Sequence, residues 1–245
     1  MKRISVAMIS FQGAKYIEEQ LDSILEQLGP DDEVVVSDDG STDGTRELLL
    51  QYQERDAKVR MIDGPKAGVK ANVENALRAC EGAYIFLADQ DDIWMPEKAE
   101  CVMAAFEEQH VSLVVHDAIV TDGECKEVIL ESFYSLKGSG AGALKNIWRN
   151  TYIGCCMAFK RELLEEVLPI PGYIEMHDQW IGVINDQLRR GTGFIPEKLI
   201  KYRRHGNNAS GMSHYGIPRM IKNRVCFVWA LLTRKGKIRE NAKRV

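Results

Sequence analysis

The chain has 245 residues, of which 45% are hydrophobic and 28% charged, and its formal net charge is −4. This length and balance predict a soluble globular protein with one sizeable core and room for a small appendage. The nearest candidate for a membrane-spanning helix is the apolar run 225–232, which is far too short to cross a bilayer.

Two further features concern the cellular compartment. The N-terminal residues lack the basic, apolar and small-residue succession of a secretory signal peptide, so we expect no export by that route. The six cysteines have neither C-x-x-C spacing nor the density of a disulfide scaffold, which indicates reduced thiols. Both features predict a cytoplasmic protein.

In the first half of the chain, short apolar runs alternate with patterns typical of helices. The predicted strands are 4–9, 33–37, 59–62, 84–88 and 113–116. The predicted helices follow Gly13, begin at a cap formed by Thr42 or Asp43, cover 69–79, and run from Pro96 to about 109. This alternation predicts an α/β fold with a mostly parallel sheet flanked by helices.

After about residue 120 the pattern becomes weaker. It predicts a loop over 138–142, a strand over 155–159 and a helix over 178–189. The charge is also uneven, because residues 215–245 contain nine basic residues and one acidic residue. That segment carries +8, and residues 1–214 therefore carry −12.

Two acidic clusters follow predicted strands. Asp38 and Asp39 end the second strand within VVVSDDGSTDGT, and residues 89–92 (DQDD) end the fourth. In a parallel sheet, ligands bind outside the carboxyl ends of the strands, so both clusters are expected in one crevice. Adjacent like charges there indicate a cationic or hydrogen-bond-donating partner, although aspartate also serves as an ordinary turn residue.

The spacing of the second cluster favours a divalent cation that is bound together with a phosphorylated ligand. Mg²⁺ and Mn²⁺ prefer one or two carboxylates plus phosphate oxygens and water, which Asp89-x-Asp91 supplies. A calcium loop is excluded, because Leu50 or Trp94 stands where the loop needs Glu or Gly. Neither a P-loop nor a G-x-G-x-x-G fingerprint is present in the sequence.

Six sequence blocks together carry a family resemblance. In chain order they are VAMISFQGAKYIEEQLDSI, VVVSDDGSTDGT, FLADQDDIWMPEK, YIGCCMAFKREL, MHDQW and YRRHGNNASG. Over residues 3–212 the chain resembles glycosyltransferase family 2 enzymes of the GT-A fold, especially the bacterial rhamnosyltransferase-like branch. The resemblance implies a Rossmann-like GT-A domain over 1–214, with a nucleotide-binding half (1–118) and an acceptor-binding half (119–214), followed by a basic amphipathic helix or tail (215–245).

The resemblance also assigns donor-binding residues. It implies that Asp39 accepts a hydrogen bond from the pyrimidine base of a nucleotide-sugar, and that Ser10 and Phe11 flank the base. Tyr is common in the family where Phe11 stands, so stacking is retained and a hydroxyl is lost. Asp89 belongs to the donor site as part of the D-x-D motif. Lys70 is a candidate for contacting a phosphate, and a solvated helix lysine is the alternative.

The remaining site residues concern the metal, the base and the acceptor. The resemblance implies that Asp91, with Asp89, binds the metal and that His205 is a metal ligand or a diphosphate donor. It assigns Asp178 as the general base that deprotonates the acceptor hydroxyl, with simple helix capping as the alternative. Trp94 and Trp180 are candidates for lining the acceptor site, with core packing as the alternative.

These residues predict an inverting glycosyltransferase that depends on Mn²⁺ or Mg²⁺. The expected donor is a UDP- or TDP-sugar carrying rhamnose or another hexose. The expected acceptor is a glycan, and glycans carried on polyprenyl diphosphate are among the candidates. No nucleic-acid partner is expected. The alternatives are a Mg²⁺-dependent nucleotidyl or phosphoryl transferase, and a nucleotide-sugar binding module without catalysis.

The basic C-terminal segment has its own prediction. Apolar residues recur at helical spacing over 217–232 beside several cations. This pattern favours an amphipathic helix on the anionic inner face of the cell membrane. The alternative is a helix packed on the catalytic domain with a solvated basic end.

Overall fold

The computed structural model describes residues 3–206, 208 and 216–241. Within these residues the strands are β1 (Ile4–Ser10), β2 (Glu33–Asp38), β3 (Val59–Asp63), β4 (Tyr84–Asp89), β5 (Ile93–Trp94), β6 (Leu113–Thr121), β7 (Val128–Leu130), β8 (Met157–Lys160) and β9 (Thr192–Arg203). The helices are α1 (Ile17–Leu25), α2 (Thr45–Arg55), α3 (Val69–Ala79), α4 (Lys98–Gln109), α5 (Phe133–Lys137), α6 (Ala143–Trp148), α7 (Leu164–Val167), α8 (His177–Leu188) and α9 (Ile217–Asn241).

All nine described strands belong to one sheet in the order β3-β2-β1-β4-β8-β6-β9-β5, with β7 paired to β6. The first four are parallel, as the alternation of strands and helices predicts. Beyond β4 the sheet is mixed, because β8 runs antiparallel to both β4 and β6. The predicted α/β class is confirmed, and the parallel arrangement holds for β1, β2, β3 and β4.

The core follows from the apolar strands of the first half. Residues 34–36 are fully buried in β2, which explains the run of three β-branched side chains before the first acidic cluster. In α1 the apolar positions at helical spacing, such as Ile17, Leu21 and Ile24, are fully buried. The six cysteines are all free thiols, as predicted.

Several predicted boundaries differ from the structure. Helix α2 begins at Thr45 after Gly44, which has φ of 100°, so neither Thr42 nor Asp43 is the N-cap residue. Asp43 instead accepts the backbone N–H of Thr45 from outside the helix. Pro96 lies before α4 rather than in its first turn, because that helix begins at Lys98.

The longest strand, β9, is absent from the sequence-based assignment. Its middle contains Pro196, Glu197 and Lys198, all of them exposed, and its register against β6 shifts next to these residues. Proline and exposed charges within a strand conceal the alternating pattern on which strand prediction depends.

The C-terminal helix packs on the domain through one face. Phe227, Ala230 and Leu231 are buried there, and the Phe227 ring meets the Trp180 ring edge-on at 5.9 Å. Residues 242–245 of the predicted tail, and residues 207 and 209–215 of the loop before it, lie outside the described residues. Among the described helices, none is both long and apolar enough to span a membrane.

Candidate active site

The parallel strands bring both acidic clusters to one edge of the sheet. In the register of β1, Ser10 pairs with Asp38 of β2, and Ile9 pairs with Asp89 of β4. The carboxyl ends of three neighbouring strands therefore meet, as expected for a ligand crevice in this type of sheet.

Asp38 is a buried structural residue of this edge. Its carboxylate accepts hydrogen bonds from Ser10 Oγ (2.9 Å), Ser41 Oγ (2.6 Å) and Arg46 Nη1 (3.0 Å). Burial acts to raise the pKa of Asp38, but the hydrogen bonds from Ser41, Ser10 and Arg46 together hold that pKa below its ordinary value. The prediction that Ser10 flanks the base is wrong for its side chain, which is buried and directed at Asp38.

Asp39 faces the loop between β3 and α3. Its two carboxylate oxygens accept the backbone N–H groups of Lys66 (2.6 Å) and Gly68 (2.9 Å). Its neighbours in the chain line a cavity of about 490 Å³ between the ends of β2 and β3. The Phe11 side chain is 56% exposed at the same edge, and its backbone N–H and carbonyl both bond to the Gln90 side chain.

The cavity is lined by charged and small residues. They are Asp38, Gly40, Ser41, Thr42, Arg46, Asp63, Gly64 and Lys66. Arg46 bridges the cavity by binding both Asp38 and Asp63. This opening therefore presents hydrogen-bond donors and acceptors together with charges of both signs, which suits a polar ligand.

The second cluster consists of closely spaced carboxylates. Burial, together with the charges of Asp91 and Asp178, raises the pKa of Asp89 to about 7. Burial and the charges of Asp91 and Asp89 raise the pKa of Asp92 well above its ordinary value. Asp92 Oδ2 is buried and has no hydrogen-bond partner among the described residues. Such an arrangement is stabilised by a cation.

His205 approaches this cluster from the far end of β9. Its Nε2 lies 2.8 Å from Asp91 Oδ2, and Asn208 Nδ2 donates to the same oxygen at 3.2 Å. The imidazole stacks on the Tyr16 ring, with 4.8 Å between centroids and 19° between planes. Two of the three residues predicted as metal ligands, Asp91 and His205, are thus in direct contact.

Arg203 holds the backbone around the cluster, a role that the sequence did not indicate. Its buried guanidinium donates to the carbonyls of Asp91 (2.7 Å) and Gly123 (3.1 Å) and to Glu19 Oε2 (2.5 Å). It also lies 4.8 Å from the centroid of the Tyr16 ring. The end of β9 is therefore tied to the loop after β4 and to α1.

The residues at this cluster fit a hard divalent cation. Asp89, Asp92 and Cys155 place ligand atoms within 4.8 Å of one another, and Asp91 lies beside them. A hydrogen bond with Cys156, together with burial, raises the pKa of the Cys155 thiol well above its ordinary value. The thiol therefore stays protonated, and the carboxylates are the available ligands, as Mg²⁺ and Mn²⁺ prefer.

Lys98 lies beneath the cluster and is fully buried. Its Nζ donates to the Cys155 carbonyl at 2.9 Å and lies 4.1 Å from the centroid of the Trp94 ring. Burial lowers the pKa of Lys98 to about 8, and its positive charge acts to lower the pKa of Asp89. The sequence did not predict this role, because a lysine in the first turn of a helix is ordinarily read as a solvated side chain.

Asp178 lies in the first turn of α8, where the helix dipole favours a negative charge. Its Oδ1 accepts the backbone N–H of Gln179 (2.5 Å) and Asn150 Nδ2 (3.2 Å). Oδ2 accepts no hydrogen bond from any described residue, so one oxygen contacts the start of the helix and the other remains available. Met176 is the N-cap residue of α8, so Asp178 does not cap the helix, and its role as general base stays a prediction.

The two tryptophans predicted at the acceptor site lie in the core instead. Trp94 is buried against Phe86, with ring centroids 5.6 Å apart. Trp180 is buried, and its Nε1 donates to the Val167 carbonyl at 2.8 Å. The prediction that their side chains line an acceptor site is wrong, because large aromatic rings gain most from complete burial.

Lys70 also has a different partner from the predicted phosphate. Its Nζ donates to the carbonyls of Gly172 (2.7 Å) and Ile174. Burial lowers the pKa of this ammonium. Lys70 therefore fixes the loop that leads into α8 and Asp178, and its contact with a donor phosphate stays a prediction.

Comparison with known proteins places this site in a family. Residues 5–168 match glycosyl transferase family 2. An uncharacterized glycosyltransferase of Nostoc sp. is 29% identical over 222 residues, which cover 84% of this chain and 66% of that protein. TuaG of Bacillus subtilis, a putative teichuronic acid biosynthesis glycosyltransferase, is 31% identical over 157 residues, which cover 62% of this chain and 59% of that protein. The chain belongs to glycosyltransferase family 2, and it spans about two thirds or less of the length of these relatives.

Solved structures support the fold. Staphylococcus aureus TarS 1-349 in complex with UDP-GlcNAc matches with a TM-score of 0.68 at 19% identity, over 88% of this chain and 62% of that chain. The mannosyltransferase PcManGT from Pyrobaculum calidifontis, in complex with GDP-Man and Mn²⁺, matches with a TM-score of 0.62 at 19% identity, over 98% of this chain and 75% of that chain. The predicted GT-A fold is confirmed.

Proposed function

We propose that the chain is an inverting, metal-dependent glycosyltransferase of cell-surface polysaccharide synthesis. The donor is a UDP- or TDP-sugar, and rhamnose is the sugar favoured by the resemblance. The observation that carries the proposal is the approach of Asp178 to Asp89, which is close enough for the charge of one to raise the pKa of the other. Asp178, as the base, and the acidic cluster at residues 89–92, as the part of the site next to the diphosphate, then face one crevice. The relationship to TuaG supports a polysaccharide product.

The chemistry of the chain's own residues follows from this arrangement. Asp178 Oδ2 accepts the proton of the acceptor hydroxyl as that oxygen attacks the anomeric carbon opposite the diphosphate. A single displacement of this kind inverts the configuration at that carbon. Asn150 and the N–H of Gln179 hold the other carboxylate oxygen and keep the base oriented.

The metal site of the proposal consists of Asp89, Asp91 and His205. When bound, Mn²⁺ or Mg²⁺ offsets the negative charge that develops on the departing diphosphate. Arg203 and Tyr16 orient the chain around Asp91 and His205. The orphaned Asp92 Oδ2 supports a cation in this region.

The donor nucleotide binds at the edge formed by β1 and β2. The exposed Phe11 ring stacks on the base, and Asp39 accepts the N3–H of uracil or thymine. Although both Asp39 oxygens already accept a backbone N–H, each carboxylate oxygen can accept more than one hydrogen bond. The acceptor is a glycan, carried on polyprenyl diphosphate, and the enzyme works peripherally at the cytoplasmic face of the membrane.

The test is incubation with Mn²⁺, an acceptor and a panel of UDP- and TDP-sugars, with thermal unfolding and product analysis as readouts. We expect one donor to raise the melting temperature and to yield UDP or TDP together with a glycoside of inverted configuration. Release of pyrophosphate would instead indicate a nucleotidyl transferase. Donor-dependent stabilisation without any product would indicate a binding module.

A further inference from the structure

Helix α9 presents an apolar strip that no described residue covers. Six residues at helical spacing form this strip, and each is between 41% and 72% exposed: Ile217, Ile221, Val225, Val228, Trp229 and Leu232. At 100° per residue they occupy one arc of about 120°, separate from the packed face that contains Phe227 and Leu231. A helix that has already buried one apolar face thus exposes a second.

The strip continues onto α6. Leu144 is 85% exposed and Trp148 is 71% exposed on that short helix. Arg224 joins the two helices, because it donates to the Trp148 carbonyl and its guanidinium lies 4.7 Å from the Trp148 ring centroid. We call the strip together with Leu144 and Trp148 the α6–α9 surface. Scattered single apolar residues are normal on a protein surface, but a continuous set of this size marks a contact.

The basic residues beside this surface indicate an anionic partner. Arg219 and Lys222 are exposed on α9, between the strip and the edge of the packed face that contains Ala230. Helix α9 carries seven basic residues and a single acid, Glu240, whereas residues 1–214 carry −12. An anionic surface is therefore attracted to this end of the molecule and repelled by the rest. Two copies packed strip to strip would bring two strongly basic helices together, which opposes self-association.

Exposed tryptophans on α6 and α9 indicate that this anionic partner is a lipid bilayer. Trp148 and Trp229 are both largely exposed, and indole side chains are favoured at the boundary between lipid chains and head groups. We propose that the α6–α9 surface docks on a lipid bilayer that contains anionic head groups, with the apolar strip inserted at the interface and the cations of α9 among the head groups.

The position of this surface relative to Asp178 adds a consequence that rests on the proposed function. Asn150, two residues after Trp148, donates to Asp178, and Phe227 packs on Trp180 two residues after Asp178. Asn223 of α9 also donates to Glu175, in the loop before α8, at 2.7 Å. The docking surface and the base are therefore built on adjoining residues, so an acceptor glycan anchored in the same bilayer reaches Asp178 from the membrane side.

The test is co-sedimentation of the full chain with phosphatidylcholine vesicles, with and without phosphatidylglycerol, at low and high salt. We expect binding that requires phosphatidylglycerol and weakens with salt. Ile221→Ser with Trp229→Ser should weaken binding at least about tenfold through lost apolar burial. Arg219→Gln with Lys222→Gln should weaken it about tenfold through lost attraction to head groups. These exposed positions are preferable to truncation, because removal of α9 would also expose Trp180.

The matched control is Val128→Ser with Ile129→Ser, since those residues are 52% and 54% exposed on β7. Equal binding by the wild-type chain, the strip variant and the control would overturn the proposal, as would absence of wild-type binding. Sedimentation velocity without vesicles supplies a further readout: a dimer abolished by the strip substitutions would assign the surface to a second copy instead. Vesicle binding is measured without donor or metal, so failure of the glycosyltransferase proposal leaves this result unaffected.

Discussion

His205 Nε2 lies 2.8 Å from Asp91 Oδ2, and the imidazole is stacked on Tyr16 of the segment that precedes α1. This pair joins the loop after β4 to the end of β9. The two residues are 114 positions apart in the sequence. Because the carboxylate and the imidazole are both ligands that Mn²⁺ accepts, the contact holds two candidate ligands at one point before any ion arrives.

The first prediction concerns metal binding at this pair. Asp91→Asn should abolish the rise in melting temperature that Mn²⁺ produces in the wild-type chain, because an amide oxygen is a much weaker ligand than a carboxylate. His205→Asn should reduce that rise. Asp31→Asn and His110→Asn, at exposed positions away from the cluster, serve as controls and should keep it. An unchanged Mn²⁺ response in Asp91→Asn would contradict the assignment.

The second prediction concerns the base. Asp178→Asn should lower kcat for sugar transfer by about 100-fold or more, while stabilisation by the donor persists, because the amide retains the shape and loses the proton acceptor. Release of nucleoside diphosphate in the presence of acceptor measures this effect. Glu175→Gln is the control, since that carboxylate bonds to Asn223 and has no assigned chemistry. Undiminished turnover in Asp178→Asn would remove Asp178 from the mechanism.

The third prediction uses the buried ammonium of Lys98, whose pKa is lowered by burial from 10.5 to about 8. Below pH 8 this lysine is charged in the folded and unfolded states. The folded state is therefore destabilised by the full free energy of burying a charged ammonium. As pH rises from 8 to 10.5 the folded state releases the proton first, and stability rises. Relative to Lys98→Met, the wild-type chain should gain up to about 3 kcal/mol over this interval.

Urea unfolding at a series of pH values from 8 upward measures this difference. The exposed Lys126→Met is the control, and its difference from the wild-type chain should not change with pH. A flat difference for Lys98→Met as well would mean that Lys98 is solvated in the folded protein.

The fourth prediction concerns packing at α8. A Cβ on Gly182 would overlap the Tyr152 ring, whose hydroxyl is held by Asp186 at 2.8 Å. Gly182→Ala should therefore lower the free energy of unfolding by about 1–3 kcal/mol through overpacking. This loss exceeds the helix propensity that alanine adds, which is at most about 1 kcal/mol. Gly172→Ala is the control, because open space surrounds that position, and thermal unfolding should detect little change.

The sequence predicts those features of the structure that depend on residues close together in the chain. Strand and helix periods located β1 to β4 and α3 closely, because buried β-branched runs and amphipathic spacing are set within one element. The position of Asp38 and Asp89 at one edge of the sheet followed from the rule for parallel strands. Arg203 and Lys98 could not be found in this way, because their roles depend on partners more than 50 positions away.

The errors have the same origin. Ser10 occurs where the resemblance expects a donor contact, yet its side chain is buried and already bound to Asp38. Trp94 and Trp180 are amphipathic residues for which the sequence cannot separate burial from ligand contact. Whether a polar group faces a crevice or a neighbouring loop is decided by tertiary packing, which no short motif records.

The anchoring of α3 bears on the order in which the chain folds during synthesis. Lys70 binds carbonyls 102 and 104 positions later, and Glu74 accepts the N–H of Ile170, 96 positions later, at 2.7 Å. When α3 emerges from the ribosome, these partners have not yet been translated. The Lys70 ammonium and Glu74 Oε2 therefore lack these partners through much of translation, and the loop that positions Asp178 is secured only when the second half of the chain arrives.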